Sequence, residues 1–299
     1  MDYVRYHIID FIYLVLYQLK LIVPFWAVGI LAGSVLSVYF DSQLTNLLNK
    51  INNYKSIYLA IIIGSVLGAL SPITMYGMVP IVILMHSKGM HQSVLISFIV
   101  TSVLINPNVV FYSFVLGADI ALLRLLICIL TGFIAGILAR IFLKNKEIFS
   151  FTFEDTPKNK KRAKYQLLLN NIYKSFKKTA PYLLLGVALT AVFEKFMPKD
   201  IFTNIFVNNT GLGVLFGAAL GVPLYFCGGG TIALIHSWMS YGMSTGSIMA
   251  FVVAGPGTKI NNVLAISTMI NKKYLLLYLM FIVAISIILG LLIDLILII

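Results

Sequence analysis

The chain alternates long apolar runs with short polar interruptions. Six runs form clean candidate spans: 21–40, 56–71, 119–142, 180–197, 211–226 and 274–298. A helix needs roughly 20 apolar residues to cross the hydrocarbon core of a bilayer, so each run predicts a transmembrane helix. Two central regions, 72–116 and 225–269, are also apolar but are interrupted by Gly, Pro, Asn and Ser. They are too broken for plain spans and too long for loops, and no even alternation of short segments predicts strands.

Composition agrees with this pattern. The 299 residues are 60% hydrophobic and 11% charged, with a mean hydropathy of +0.97. A soluble domain is about 45–50% apolar and about 25% charged. A soluble enzyme, a disordered chain and a secreted disulfide scaffold are therefore excluded. The sequence predicts an all-α polytopic protein of the cell membrane, plasma or inner.

The net charge of +12 is concentrated in one place. Between Arg140 and Lys178 lie 11 of the 22 basic residues, with only three acids. One basic stretch between hydrophobic runs is typical of a cytoplasmic loop, because Lys and Arg are enriched on that side. We therefore expect residues 144–179 to form a cytoplasmic linker that contacts anionic headgroups of the bilayer. The same distribution argues against nucleic-acid binding.

The strongest pattern is an internal repeat. With an offset of 153 residues, positions 59–110 match 212–263 without a gap, and all four glycines of the first segment fall on glycines of the second. The chain then divides into a first membrane repeat (1–143), the linker (144–179) and a second membrane repeat (180–299). Within 1–20, residues 4–19 predict an amphipathic helix in the membrane interface, with an extra span as the alternative.

The positions of Lys and Arg predict that the two repeats are inverted. Arg140, Lys144 and Lys146 follow the last helix of the first half, whereas Lys272 and Lys273 precede the matching helix of the second half. The Lys/Arg rule places both groups in the cytoplasm, so these two helices must run in opposite directions. The expected fold has two inverted-topology repeats with broken or re-entrant helices at mid-membrane. Secondary transporters are commonly built in this way.

The candidate solute-binding residues lie at the breaks. A broken helix leaves free N–H and C=O groups, which lipid cannot satisfy but a cavity or a solute can. Consecutive glycines also allow a ligand to approach the backbone closely. The predicted substrate-binding residues are Pro72, Thr74, Tyr76, Gly77, Asn106, Pro107, Asn108, Cys227, Gly228, Gly229, Gly230, Pro256, Thr258, Lys259 and Asn261.

Lys259 stands out because a lysine within an apolar region is costly and usually functional. It can neutralise an anionic substrate or take part in proton coupling, and the alternative is that it snorkels or pairs with a helix C-terminus. We expect Arg124 to snorkel near the end of its helix. The acids Asp119, Glu194 and Asp294 also lie near span ends and are expected to be solvated.

Neither the cysteines nor the histidines predict a metal site. Cys128 lies inside an apolar run and is expected to be a small buried hydrophobe. Histidines 86, 91 and 236 show no metal-ligand spacing, so neither a metal nor a cofactor is predicted. Phosphate-loop and metalloprotease motifs are also absent from the sequence, which argues against ATP drive within this chain and against catalysis.

At the central regions the chain resembles a predicted-permease family that includes ArsP-type organoarsenical efflux proteins and YraQ-like permeases. The resemblance rests on three segments: GALSPITMYGMVP at 68–80, SFIVTSVLINP at 97–107 and AFVVAGP at 250–256. It implies a permease for a trivalent organoarsenical or a related small molecule. The family pattern has two cysteines where this chain has Thr74 and Tyr76, and only Cys227 remains at a matching position. Trivalent arsenic prefers soft thiolates, so these departures weaken that substrate.

The sequence therefore predicts a secondary-type permease that moves a small solute by alternating access at a midplane site between two repeats. The family resemblance implies efflux as the direction. An ion or small-solute channel is the alternative, and an intramembrane lipid-phosphate enzyme is less well supported. Glycine-rich membrane helices pack closely, so a homo-oligomer is a further alternative to a monomer.

Overall fold

A computed structural model describes residues 2–39, 56–71, 78, 81–83, 85–86, 89–144, 146–150, 164–196, 205–206, 210–225 and 228–298. The helices in these ranges are α1 (Asp2–Tyr39), α2 (Ile57–Leu70), α3 (Gln92–Leu104), α4 (Pro107–Ser113), α5 (Ala118–Phe142), α6 (Lys164–Phe196), α7 (Thr210–Leu224), α8 (Gly228–Ser240), α9 (Thr245–Thr258), α10 (Ile260–Ser267) and α11 (Lys272–Ile298). A single 3-10 turn, Phe114–Leu116, follows α4. The predicted all-α class is confirmed within this part of the chain.

Among the described residues, two helices are long and apolar enough to cross a membrane alone, Ala118–Phe142 in α5 and Lys272–Leu297 in α11. A third candidate is the pair formed by α3 and Pro107–Leu116, which is bent by 41°. The sequence predicted six clean spans, and the difference has a simple cause. Helices α2 and α7 have only 14 and 15 residues, which at 1.5 Å per residue is roughly 21–23 Å.

The remaining two predicted spans belong to longer helices. Residues 21–39 of one predicted span form the second part of α1, and residues 180–196 of the other form the second part of α6. Residues 4–19, which the sequence predicted as an interfacial helix, form the first part of α1 and are continuous with its second part. Pro24 lies inside this helix.

Two sets of three helices share one packing pattern. Helices α2, α3 and α5 pack together in the first half, and α7, α9 and α11 pack together in the second. Helices α2 and α7 begin 153 residues apart, as do α3 and α9, and α4 and α10. The starts of these three helix pairs are therefore separated by the same 153 residues as the two matching sequence segments.

Glycines allow the backbones within each set to approach closely. A Cβ on Gly68 would lie 2.7 Å from the carbonyl oxygen of Phe98, and one on Gly221 would lie 2.9 Å from that of Phe251. These two contacts occupy positions 153 residues apart. Any larger residue would force the helices apart, which explains why glycine stands at both positions.

The turn before α3 is repeated before α9. Gly89 and Gly242 have φ of 77° and 88°, a conformation that glycine adopts without strain. Met90 N–H donates to Met85 O, and Met243 N–H donates to Trp238 O, both at 3.1 Å. This is the Schellman arrangement that ends a helix, so both halves use the same device to end one helix and begin the next.

Hydroxyl groups connect the helices of the first set. Ser65 Oγ donates to Ile129 O at 2.6 Å and lies 2.9 Å from Thr101 Oγ1. Ser97 Oγ donates to Ile61 O at 2.9 Å. Hydrogen bonds of this kind contribute about 0.6 kcal/mol on average between membrane helices, so together they favour one packing of α2, α3 and α5.

A short segment after α5 joins the two halves. Phe149 forms an antiparallel bridge with Ile270, just before α11. Asn271 N–H donates to Ile148 O at 3.1 Å, and Ile148 N–H donates to Gln92 Oε1 at 3.2 Å. The end of α5, the start of α3 and the start of α11 therefore meet at one end of the molecule.

His91 lies at this same end. Its Nε2 is 2.8 Å from Arg140 Nη1, and its Nδ1 is 2.7 Å from Ser93 Oγ. A guanidinium only donates, so Arg140 donates to Nε2, and the backbone N–H of Ser93 donates to Nδ1 at 3.2 Å. Donors therefore face both ring nitrogens, which disfavours a second proton on the ring. Desolvation, with smaller contributions from the positive charges of Arg140 and Lys144, lowers the pKa of His91 below its usual 6.5.

The close approach of α7 and α9 predicts different effects for two glycines on the same helix. A Cβ on Gly217 would lie 2.5 Å from Ser247 O, whereas a Cβ on Gly211 would meet nothing within 4 Å. We expect Gly217→Ala to lower the free energy of unfolding by about 1–3 kcal/mol, measured in detergent micelles. The matched control Gly211→Ala should be neutral or stabilising by up to about 1 kcal/mol. Equal effects of the two changes would contradict the proposed helix contact.

The lowered pKa of His91 predicts a pH dependence of stability. Below pH 6.5 the unfolded chain binds a proton at His91 more readily than the folded chain, so the free energy of unfolding falls as pH decreases. We expect a loss of thermal stability from pH 7 to pH 5 that is smaller in His91→Gln. Arg140→Gln should also reduce this loss, because it removes a positive charge beside the ring. An identical pH profile for wild type and both variants would contradict the assignment of this pH dependence to His91.

Candidate functional site

The first broken helix is built around Asn106. Ile105 and Asn106 are both extended, between α3 and α4. Asn106 Oδ1 accepts from Val109 N–H at 3.1 Å, and Pro107 occupies the first turn of α4, where a missing N–H costs nothing. The break therefore has its own cap, which lets α4 restart after the interruption.

The second break lies at the equivalent position, Lys259. This residue separates α9 from α10, and its carbonyl accepts from the N–H groups of Asn262 and Val263, both at 2.9 Å. Asn262 Nδ2 donates to Pro256 O at 2.8 Å, and Tyr278 OH donates to Gly257 O at 2.9 Å. In an unbroken helix these carbonyls would accept from backbone N–H groups of the next turn. At this break, side chains donate to them instead.

The structure distributes the predicted substrate-binding residues over several elements. Asn106, Pro107 and Asn108 lie at the start of α4. Pro256 and Thr258 lie at the end of α9, Lys259 is half-buried at the break, and Asn261 is exposed in the first turn of α10. Gly228, Gly229 and Gly230 open α8. The predictions at Pro72, Thr74, Tyr76, Gly77 and Cys227 lie outside the described residues.

Part of this set is brought together by packing between the halves. Helix α4, which carries Asn108, packs against α8, which begins with the three glycines. Helix α10, which carries Asn261, packs on α9 and α11. Two buried polar atoms on α4 and α8, Asn108 Oδ1 and Thr231 Oγ1, have no hydrogen-bond partner. Buried polar atoms are nearly always paired, so an unpaired one on each of these two packed helices is unusual.

Arg124 contradicts the sequence prediction. It was expected to snorkel to the end of α5, but its side chain is only 1% exposed. Nη1 donates to Ser113 Oγ at 2.9 Å, and Nη2 donates to Tyr225 OH at 3.2 Å. These hydroxyls come from the end of α4 and from the residue after α7, so a residue that the sequence assigned to the surface instead connects the two halves. The sequence signal that could have revealed this buried position is a basic residue within an apolar helix.

Asp294 is a second correction. It was expected to be solvated, but it is 6% exposed and lies at the start of α9. Its carboxylate accepts from Ser244 Oγ and from Gly246 N–H, both at 2.7 Å. A negative charge at this position compensates the free N–H groups and the positive end of the α9 dipole. Asp119, in contrast, is exposed as predicted, and the side chain of Glu194 lies outside the described part of the chain.

Cys128 and His91 lie in packed or hydrogen-bonded positions. Cys128 is fully buried, as predicted, and His91 bonds Ser93 and Arg140. Within the ranges that the structure describes, no group of three or more His, Cys, Asp or Glu residues is arranged to hold a metal ion. Where α4, α5 and the end of α7 meet, the polar groups are the guanidinium of Arg124 and the hydroxyls of Ser113 and Tyr225.

Several known proteins are similar to this chain over most of its length. The UPF0718 protein YcgR of Bacillus subtilis is 22% identical over 272 residues, which cover 88% of this chain and 90% of that protein. A Streptococcus mutans protein, described as a candidate subunit of a two-component membrane permease complex, is 26% identical over 255 residues, or 83% of this chain and 84% of its own.

A UPF0718 protein of Methanocaldococcus jannaschii is 29% identical over 169 residues. This match covers 56% of the present chain and 42% of the archaeal protein, so the chain spans less than half of that relative. No solved structure matches significantly. A family model with the description "predicted permease" matches residues 7–295, nearly the whole chain. The protein therefore belongs to this predicted permease family of the membrane.

Proposed function

We propose that this chain is a secondary-type permease that moves a small solute by alternating access at a site between its two helical sets. The observation that carries the proposal is the pair of helix breaks at equivalent positions, Asn106 and Lys259. Lipid does not satisfy the backbone groups of a broken helix, and transporters place such breaks at the solute site. Membership of a permease family supports transport rather than catalysis.

The proposal includes inverted repeats, for which the contacts at the two ends of α11 are the support. The start of α11 lies near the start of α3, because Ile148 bonds both Asn271 and Gln92. The start of α9 lies at the other end of α11, where Asp294 accepts from Gly246. Helices α3 and α9 are equivalent by the 153-residue offset, so the two would run in opposite directions across the membrane.

On this proposal, residues 144–179 lie in the cytoplasm together with the starts of α3 and α11. The exposed basic residues Lys144, Lys146, Lys272 and Lys273 gather at that end. The Lys/Arg rule favours the cytoplasmic side for such a group. Anionic headgroups are then its expected neighbours.

The trivalent organoarsenical suggested by the family resemblance fits this chain less well. Two family cysteine positions are Thr74 and Tyr76, and Cys128 is buried in α5. Cys227 would be the one thiol at the central region, and it could form one bond to arsenic. We therefore propose a small solute whose recognition relies mainly on oxygen and nitrogen groups, with direction and coupling ion to be measured.

The inverted arrangement predicts a labelling pattern. In a background with serine at Cys128 and Cys227, Lys272→Cys should react with a membrane-impermeant maleimide in inside-out vesicles and be protected in intact cells. Ser240→Cys, which is exposed next to the start of α9, should show the opposite pattern. Labelling of both positions from the same side would contradict the inverted topology.

The proposed site predicts that substitutions at the two helix breaks reduce transport. We expect Asn108→Ala and Lys259→Gln to reduce efflux from sealed proteoliposomes at least about tenfold, the equivalent of roughly 1.4 kcal/mol in the transport barrier. The probes are methylarsenite and inorganic sulfate, each measured against protein-free vesicles. Lys272→Gln removes the same charge at an exposed position and should retain wild-type flux.

Two other outcomes separate the alternatives. Flux that rises with probe concentration without saturating would favour a channel over a permease. Saturable flux that is unchanged in both variants would place the solute site away from the breaks. Chemical conversion of a probe in the recovered medium would favour an enzyme.

A further inference from the structure

Arg124 is an unusual residue for the interior of a membrane protein. It lies in the second turn of α5, and its side chain is 1% exposed. Its bonds to Ser113 and Tyr225 use two of the five N–H donors of a guanidinium. The Nε atom is buried and has no hydrogen-bond partner. The cation is therefore enclosed and only partly satisfied.

Hydroxyls bond this charge, but they do not neutralise it. Three acidic side chains lie in the described part of the chain, and each is placed elsewhere. Asp119 and Glu147 are exposed, and Asp294 binds the start of α9. Among the side chains that the structure describes, Arg124 therefore has no acidic partner, and a buried charge in that state is costly in a low-dielectric interior, more so within a bilayer. Such a residue is normally retained because a charged partner binds it at some stage of function.

The surroundings of Arg124 belong to both halves of the protein. Ser113 ends α4 in the first half. Tyr225 follows α7 in the second half, and its ring lies directly on Gly255 of α9, where a Cβ would overlap it. Helix α8, which carries the buried and unbonded Thr231 hydroxyl, packs against α4 and the 3-10 turn that follows it. A solute bound at the guanidinium would therefore contact both helical sets.

We infer that Arg124 is the counter-charge for a small anionic solute with oxygen acceptors, such as an oxyanion or a carboxylate, and that Tyr225 and Ser113 hold the guanidinium in place. The inference rests on the proposed function, and it names the substrate class of the same site. A guanidinium has donors and no acceptor, so it selects anions over cations and over neutral solutes. Full burial of Arg124 means that the solute enters when the two helical sets move apart.

Thermal unfolding of the purified protein in detergent tests this inference. The probes are inorganic phosphate, sulfate and benzoate, each paired with an uncharged analogue: trimethyl phosphate, dimethyl sulfone and benzamide. We expect at least one anion, and not its neutral analogue, to raise the unfolding temperature of the wild type in a saturable way. The half-saturating concentration should rise at least about tenfold in Arg124→Gln, the loss expected for one charged hydrogen bond.

Two further variants separate binding from a purely structural role. Lys144→Gln removes one exposed positive charge just after the opposite end of α5, and it should leave the half-saturating concentration unchanged. Arg124→Lys keeps the charge, and it should retain selectivity for the anion over its neutral analogue even if stability falls. Arg124→Lys also provides the test if Arg124→Gln does not fold.

The inference is overturned if no anion of the panel stabilises the wild type more than its neutral analogue. It is also overturned if the anion response is the same in Arg124→Gln and wild type. Flux in sealed vesicles distinguishes this failure from failure of the proposed function. Saturable flux of a neutral solute that does not depend on Arg124 would retain the permease and reject the anion. Anion binding at Arg124 without flux would retain the anion site and reject the permease.

Discussion

The rest of this structure depends on how backbone groups are satisfied where a membrane helix is interrupted. Lipid offers no hydrogen bonds, so each interruption must supply its own. At the first break the Asn106 side chain caps α4. At the second, Asn262 and Tyr278 bond the carbonyls of Pro256 and Gly257. Asn106 and Lys259 are both half-buried, so these bonds satisfy backbone groups that packing alone only partly shields.

Much of the architecture follows from sequence because it depends on local and repeating features. The 153-residue offset predicts equivalent helices, and the glycines at 68 and 221 occupy the same close contacts. Interruption of the central regions follows from Asn, Pro and Gly. The number of single spans does not follow, because an apolar run gives no information about where its helix ends. Runs 56–71 and 211–226 accordingly form helices of 14 and 15 residues.

The candidate site was less predictable, because burial of a charged side chain depends on partners distant in sequence. Arg124 and Asp294 both lie near the ends of apolar runs, where solvent is the usual neighbour. Tyr225, which is 101 residues from Arg124, and Gly246, which is 48 residues from Asp294, determine their actual environments. Neither partner carries a pattern that points to these contacts. Residue type signals that a charge in an apolar run needs a partner, but only the fold identifies the partner.

The residues with the most distinctive chemistry lie where the two halves differ. Shared positions are mainly glycines and apolar residues, which fix helix contacts and turns. At the breaks, Asn106 is replaced by Lys259. Helices α5 and α11 begin 154 residues apart, so the position equivalent to Arg124 is Tyr278, which is 8% exposed and donates to Gly257 O. Packing therefore keeps the frame of the two halves alike, while the two basic residues that depart from the repeat, Arg124 and Lys259, lie one in each half. Because Arg124 donates to hydroxyls from both halves, its charge lies where the two helical sets meet.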